Sequence, residues 1–215
     1  RGLRNPGDIC RTLLSLGRLA LARGDATAAE AAAQQTVALA HDAGRRPEEA
    51  QAHLLLGRAS ATRRDLARAG DAYGRALALA RDLALPALCC DAEAGLASVA
   101  LARGETDAAA IHAAAALAHA ESQSLAGCEE PGWVAITCYH ALGGARDQRA
   151  AAALQLGATL IEQKVASLPA QSQGRYLEAF PAARAVLEAW REHLGTAVPA
   201  VATIDPARRQ RTASA

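Results

Sequence analysis

The sequence contains no methionine, and lysine, asparagine and phenylalanine occur once each, as Lys164, Asn5 and Phe180. Aromatic residues make up 3% of the 215 positions, while 51% are hydrophobic, so alanine carries much of the apolar fraction. Each shortage excludes something. Sparse aromatic and β-branched residues argue against a β-sheet. The single lysine follows Gln163 and precedes Val165, so no phosphate-binding loop ending in Gly-Lys-Ser/Thr exists here. GxGxxG, HExxH and GxSxG patterns are absent as well. No window approaches 18 uninterrupted apolar residues, which excludes a membrane-spanning helix. The N-terminus lacks the apolar core and cleavage site of a signal peptide. The missing methionine, even at position 1, suggests a piece of a longer protein.

What is present is balanced. Net charge is +1 from 23 basic and 22 acidic residues, which gives no bulk attraction to nucleic acid or anionic lipid. Five cysteines (Cys10, Cys89, Cys90, Cys128, Cys138) form an odd set with two adjacent members. That does not resemble a disulfide framework and reads as free thiols in a reducing cytoplasm.

The alanine is ordered in a repeat. Residues 21–40 (LARGDATAAEAAAQQTVALA), 61–80 (ATRRDLARAGDAYGRALALA) and 101–120 (LARGETDAAAIHAAAALAHA) superimpose without a gap. Gly24, Arg64 and Gly104 align, as do Asp25, Asp65 and Glu105, then Ala29, Ala69 and Ala109, and then Ala33, Tyr73 and Ala113. Self-similarity at a fixed period marks a solenoid. Each unit reads as a helical hairpin. The expected helices are Asp8–Arg23 with Ala26–Ala43, Glu48–Thr62 with Leu66–Leu83, Ala87–Arg103 with Thr106–Ser122, and Gly132–Leu142 with Arg146–Ser167. The repeats then cover 8–46, 47–86, 87–127 and 128–169. A closing helical element is expected over 173–194, where Leu177, Phe180, Ala183, Leu187 and Trp190 form an apolar stripe. Pro181 either opens a helix there or splits the segment in two. Residues 195–215 lack periodicity and read as a disordered tail or linker. Their Arg208-Arg209-Gln210-Arg211 run is a weak nucleic-acid signal with no recognition motif.

The pattern resembles the tetratricopeptide repeat. Leu16-Gly17 and Leu56-Gly57 match the Leu-Gly pair of its first helix, and Ala69, Tyr73 and Ala76 match the second. The third repeat has Leu96-Ala97 instead, and alanine replaces the aromatic residue in the first and third. The family period is about 34 residues, shorter than the spacing here. The longer arms are similar to repeats beside bacterial regulatory modules, as in the maltose-regulon activator class. The stretch SLPAQSQGRYLEAFPAARAVLEAW is similar to the end of repeat regions in ATPase- and cyclase-linked regulators. The resemblance implies an all-α, right-handed α-solenoid of about four hairpins plus a closing helix. It also implies a scaffold that binds proteins; no catalytic or cofactor-binding constellation is found in the sequence, so neither enzymatic activity nor a cofactor is expected. The carboxylate clamp of chaperone-binding members uses asparagines and lysines, which this sequence does not supply in its repeats.

Chemistry-bearing residues are few. His112 and His119 lie two turns apart without further ligands at metal spacing. Cys89-Cys90 reads as small buried hydrophobes. Cys138-Tyr139-His140 lacks the rest of a triad. Glu129-Glu130 before Pro131 reads as the acidic N-terminus of a helix. The resemblance places the first helix of each hairpin on a concave groove. Its expected lining is Arg11, Leu14, Arg18 and Leu21; Gln51, Leu54, Arg58 and Ala61; Asp91, Ala94, Ser98 and Leu101; and Ala135, Tyr139 and Leu142. Arg11, Arg18 and Arg58 among leucines could grip a carboxylate or an acidic peptide; the alternative is that they are solvated surface arginines. Two functions stay open. One is a protein-interaction or ligand-sensing module of a bacterial signalling or transcription regulator, binding a peptide or a neighbouring domain of the parent chain. The other is homodimerisation through Phe180, Leu187 and Trp190.

Overall fold

A computed structural model describes residues 5–123 and 125–193. They are all-helical, and the helices pack in chain order as a solenoid of hairpins. The elements are α1 (Pro6–Ala22), α2 (Ala26–Asp42), α3 (Arg46–Thr62), α4 (Leu66–Asp82), α5 (Pro86–Arg103), α6 (Thr106–Gln123), α7 (Pro131–Ala141), α8 (Gln148–Ala166), α9 (Ala170–Ala179) and α10 (Pro181–His193). Short 3-10 turns occupy Leu125–Gly127 and Gly144–Arg146.

Local chemistry sets the boundaries. Pro6, Pro47, Pro86, Pro131 and Pro181 sit in first turns, where a missing N–H leaves no bond unmade. Asp25, Asp65 and Asp147 cap α2, α4 and α8 by accepting from the backbone N–H of Ala28, Arg68 and Arg149. Tight turns between helices need one left-handed residue, and Gly24, Gly44 and Gly104 supply it. In the second repeat that conformation falls on Arg64 (φ 62°) and Ala84 (φ 52°).

Each odd helix touches the next odd helix (α1 with α3, α3 with α5, α5 with α7), so the first helices of the hairpins form one layer. The even helices lie outside it. Alanines at 29, 33, 69, 76, 109, 113 and 116 are fully buried between the layers. Among the larger side chains of this core, the bulkiest that is fully buried is Tyr73, 1% exposed. Its ring lies between Gly57 and Gly95, where a Cβ on Gly57 would approach the ring to 2.7 Å and one on Gly95 closer still. The Leu-Gly pair of the second repeat is thus the socket for an aromatic residue of its own hairpin, and the third repeat contributes the other wall.

The closing element is two helices. Phe180 adopts φ −121°, ψ 82°, and Pro181 starts α10. The expected C-terminal tail, 195–215, lies outside the described residues, as does Leu194. Leu187 and Trp190, expected on a self-association surface, are each 4% exposed. They belong to the same buried cluster as Tyr139, Leu154 and Val186. The apolar stripe of α10 faces its own chain because α7 and α8 need covering, so of the three residues only Phe180, 43% exposed, meets solvent.

Candidate functional site

The hairpins keep register for three repeats and then slip. α1, α3 and α5 start at residues 6, 46 and 86, a constant step of 40, yet α7 starts at 131. Residues 126–130, which the period would make the first turn of α7, instead finish the 3-10 turn at Leu125–Gly127 and then run as loop over 128–130. Leu125, fully buried, anchors this segment. Glu130 is the N-cap residue of α7, but its side chain makes no capping bond. It turns, with Glu129, toward α1 and α3.

There an ionic cluster forms. Arg58 Nη1 lies 3.1 Å from Glu129 Oε2 and 3.1 Å from Glu130 Oε1, and Nη2 lies 3.8 Å from Asp91 Oδ1. Arg18 pairs with Glu129 Oε1. The Glu129 backbone N–H donates to Asp91 Oδ2 at 3.0 Å, which ties loop to α5. The Arg58 guanidinium stands 5.0 Å from the centroid of the Trp133 ring, within cation–π range. Arg58 and Asp91 are 8% and 2% exposed. Burial pulls the Arg58 pKa down, but Glu130, Glu129 and Asp91 together outweigh it and hold the guanidinium above its ordinary range. Asp91 is pushed up to about 7, because burial outweighs the attraction of Arg58 and the bond from Glu129. Polar capacity remains unused: Arg58 Nε and Nη2, Arg18 Nε, Asp91 Oδ1 and both carboxylate oxygens of Glu129 are buried without a hydrogen bond.

Beside the cluster opens a cavity of about 910 Å³. Leu21, Leu55 and Ala61 wall it from α1 and α3, and Leu160 and Ile161 from α8. Tyr176 and Phe180 close the C-terminal side, with their ring centroids 4.8 Å apart. Arg18, Arg58, Glu129, Glu130, Trp133 and Lys164 place charge and an aromatic face along the same lining. A smaller recess of about 250 Å³ between Gln51, Asp91, Arg18 and Glu129 borders it.

The expected groove residues divide. Arg18, Leu21, Arg58, Ala61 and Ser98 line the cavity, and Gln51 and Asp91 line the adjacent recess. Leu14 and Leu54, 1% and 0% exposed, are core residues instead, and Leu55 takes the place expected of Leu54. Tyr139 is buried beneath α10, with its ring 6.1 Å from His193. Arg11 points to solvent and pairs with Asp8 on its own helix. Sequence reasoning missed Glu129, Glu130 and Trp133 as partners of Arg58. The broken period at Cys128–Pro131 was the available signal.

The remaining candidates are structural. All five cysteines are free and buried. A hydrogen bond with Cys90, together with burial, raises the Cys128 thiol, and burial pushes Cys138 up to about 12. Such thiols are poor nucleophiles at neutral pH. His112 Nδ1 lies 2.8 Å from Glu93, which also accepts from Arg81 at 2.7 Å. Among the described residues no helix is long and apolar enough to cross a membrane. Comparison of the chain with known protein families, curated proteins and solved structures returns no match.

Proposed function

We propose that this chain is a binding scaffold, a tetratricopeptide-like module of a cytoplasmic bacterial signalling or transcription regulator. Its concave cavity takes a segment of a protein partner or of a neighbouring domain. The observation that carries the reading is the cavity itself. Four hairpins and the closing pair contribute to one lining that combines apolar walls with a fixed row of charges. Binding sites of this size are typically apolar with a few oriented polar groups. A scaffold of this kind signals only if its ligand binds two states with different affinity. Here the loop before α7 is the element whose position differs from the repeat pattern.

The test uses a random-peptide library panned on the immobilised chain. Selected peptides are then measured on wild type and on Ala61→Trp, which fills the cavity from a half-buried wall position. Binding lost in Ala61→Trp with helicity unchanged supports the reading. Peptides that bind both proteins equally place the contact elsewhere and overturn it. Concentration-dependent dimerisation in sedimentation, with no selected peptide, transfers the reading to self-association.

A further inference from the structure

We propose that Glu129-Glu130 is an internal latch: it holds, within the chain, an arginine site on α1 and α3 that receives a partner segment carrying two adjacent carboxylates, and the partner enters by displacing it. The proposal rests on the scaffold reading and names the partner's chemistry.

Independent observations converge on it. The first is the broken register. Five residues that would extend α7 stay outside it, and the loop formed by the last three, 128–130, ends on Arg58 and Arg18. A segment that gives up a helical turn requires compensating contacts, and those contacts are the two carboxylates and the bond to Asp91. The second is an imperfect fit. Both glutamates address Nη1 of Arg58, while Nε and Nη2 of the same buried group, and Nε of Arg18, make no hydrogen bond. Guanidinium binds a carboxylate best through two parallel N–H bonds. The site therefore has donor capacity beyond what the latch uses, and a partner carboxylate seated on Nε and Nη2 would satisfy it. The third is access. Glu130 and Arg18 are 44% and 37% exposed, so an incoming anion reaches the cluster from water before the buried contacts yield. Exchange of carboxylate for carboxylate leaves the buried charge balance unchanged, which keeps Arg58 paired throughout.

Charge complementarity sets the ligand class. Arg18 and Arg58 face the site from α1 and α3, Asp91 faces it from α5, and Lys164 stands on the cavity lining from α8. With the latch withdrawn, three cations oppose one carboxylate. Apolar walls next to them favour a bulky residue beside the acidic pair.

The probe is a fluorescein-labelled peptide copying residues 129–135, EEPGWVA, with QQPGWVA as its control. It is titrated by anisotropy into wild type and into the isosteric double variant Glu129→Gln/Glu130→Gln. The acidic peptide is expected to bind the variant roughly tenfold or more tightly than wild type, since a closed latch lowers apparent affinity by the open fraction. The control is expected to bind neither. Equal affinity for both proteins, or equal binding of the control, overturns the latch. If the variant does not fold, hydrogen exchange on wild type decides. Saturating acidic peptide should speed exchange at the Glu129 amide, and unchanged exchange there also overturns the proposal. Library peptides that still depend on Ala61 while EEPGWVA fails would leave the scaffold reading standing and sink the latch alone.

Discussion

The first three hairpins and the fourth are built from the same plan, but they use different forces. In the regular part, helices start 40 residues apart, and alanine lets the layers approach closely. Dispersion and burial do most of the work there, and the buried carboxylates of Glu48 and Glu93 are paired locally, with Arg45 and with Arg81 and His112. In the fourth hairpin the first helix shortens from 17 or 18 residues to 11, and the displaced chain carries acidic side chains inward to meet arginine. Regularity gives a solenoid its stability, and one departure from regularity places a polar cluster where the helices line a cavity. Variants that act on one part and spare the other test this division.

The largest effect is expected at the largest fully buried side chain of the regular part. Tyr73→Ala removes a wholly buried ring from between Gly57 and Gly95. Neither glycine can fill the space, so the cost should be about 3–5 kcal/mol in urea unfolding. A loss below about 1 kcal/mol, the size of a typical substitution, would mean that α3 and α5 close together without it.

Next is Arg58→Ala in the irregular part. Glu129 and Glu130 can swing toward water, but Asp91 stays buried among Tyr73, Cys128 and the Glu129 amide. The expected loss is about 1.5–3 kcal/mol, the range for hydrogen bonds to charged groups. It should be smaller in acid, where Asp91 takes a proton. Retention of full stability at alkaline pH would show that the ionic cluster contributes nothing to the fold.

Asp91 separates the two parts by pH. Its folded pKa of about 7 lies above the ordinary value of 3.8, so the folded chain binds the proton more tightly than the unfolded chain between those values. Its contribution is therefore most favourable below the unfolded pKa and is lost as pH rises toward and through 7. Asp91→Asn keeps an acceptor for the Glu129 amide and removes the titration. The difference in urea midpoint, Asn variant minus wild type, should be larger at about pH 8.5 than at about pH 5.5. Comparing the two proteins at each pH cancels His53, whose pKa burial lowers and which acts in the opposite sense on acidification. An equal difference at both pH values would contradict a buried, titrating Asp91.

The sequence and the structure agree where the period rules. The paired helices through residue 123 were legible because Ala29, Ala69 and Ala109 and the capping Asp25 and Asp65 recur at fixed spacing. Arg18, Arg58 and Ser98 could be placed on one lining for the same reason, since they hold equivalent positions in successive repeats. The register failed at Leu14 and Leu54 because a helix face drifts between layers, and which side of a leucine-rich helix is covered depends on its neighbours. Glu129-Glu130 does stand at the N-terminus of α7, but its pairing with arginine was missed because a local rule, acid at a helix N-terminus, sufficed to explain it. Its arginine partners lie 71 or more positions back in sequence, and nothing local encodes that pairing. Trp190 was misassigned because an apolar stripe on a terminal helix looks the same whether it covers its own chain or another copy.

The smallest effect belongs to the turns of the regular part. Gly24 and Gly104 occupy the left-handed conformation in the first and third hairpins, whereas the turn after α4 forces it on Ala84 at φ 52°. A Cβ in that region crowds the following carbonyl by about 1–2 kcal/mol, and glycine gives back part of the gain through its freer unfolded state. Ala84→Gly should therefore stabilise the chain by roughly 0.5–1 kcal/mol net. Gly104→Ala, placed in open space with φ 76°, should cost a similar amount. Because neither position touches the ionic cluster, both variants should leave the pH difference at Asp91 unchanged. Opposite signs at these two turns, with the same response to pH, would show that the regular frame and the irregular site are energetically separable. A shift of the Asp91 titration in Ala84→Gly would instead show that the turn before α5 transmits strain to the cluster that α5 helps to build.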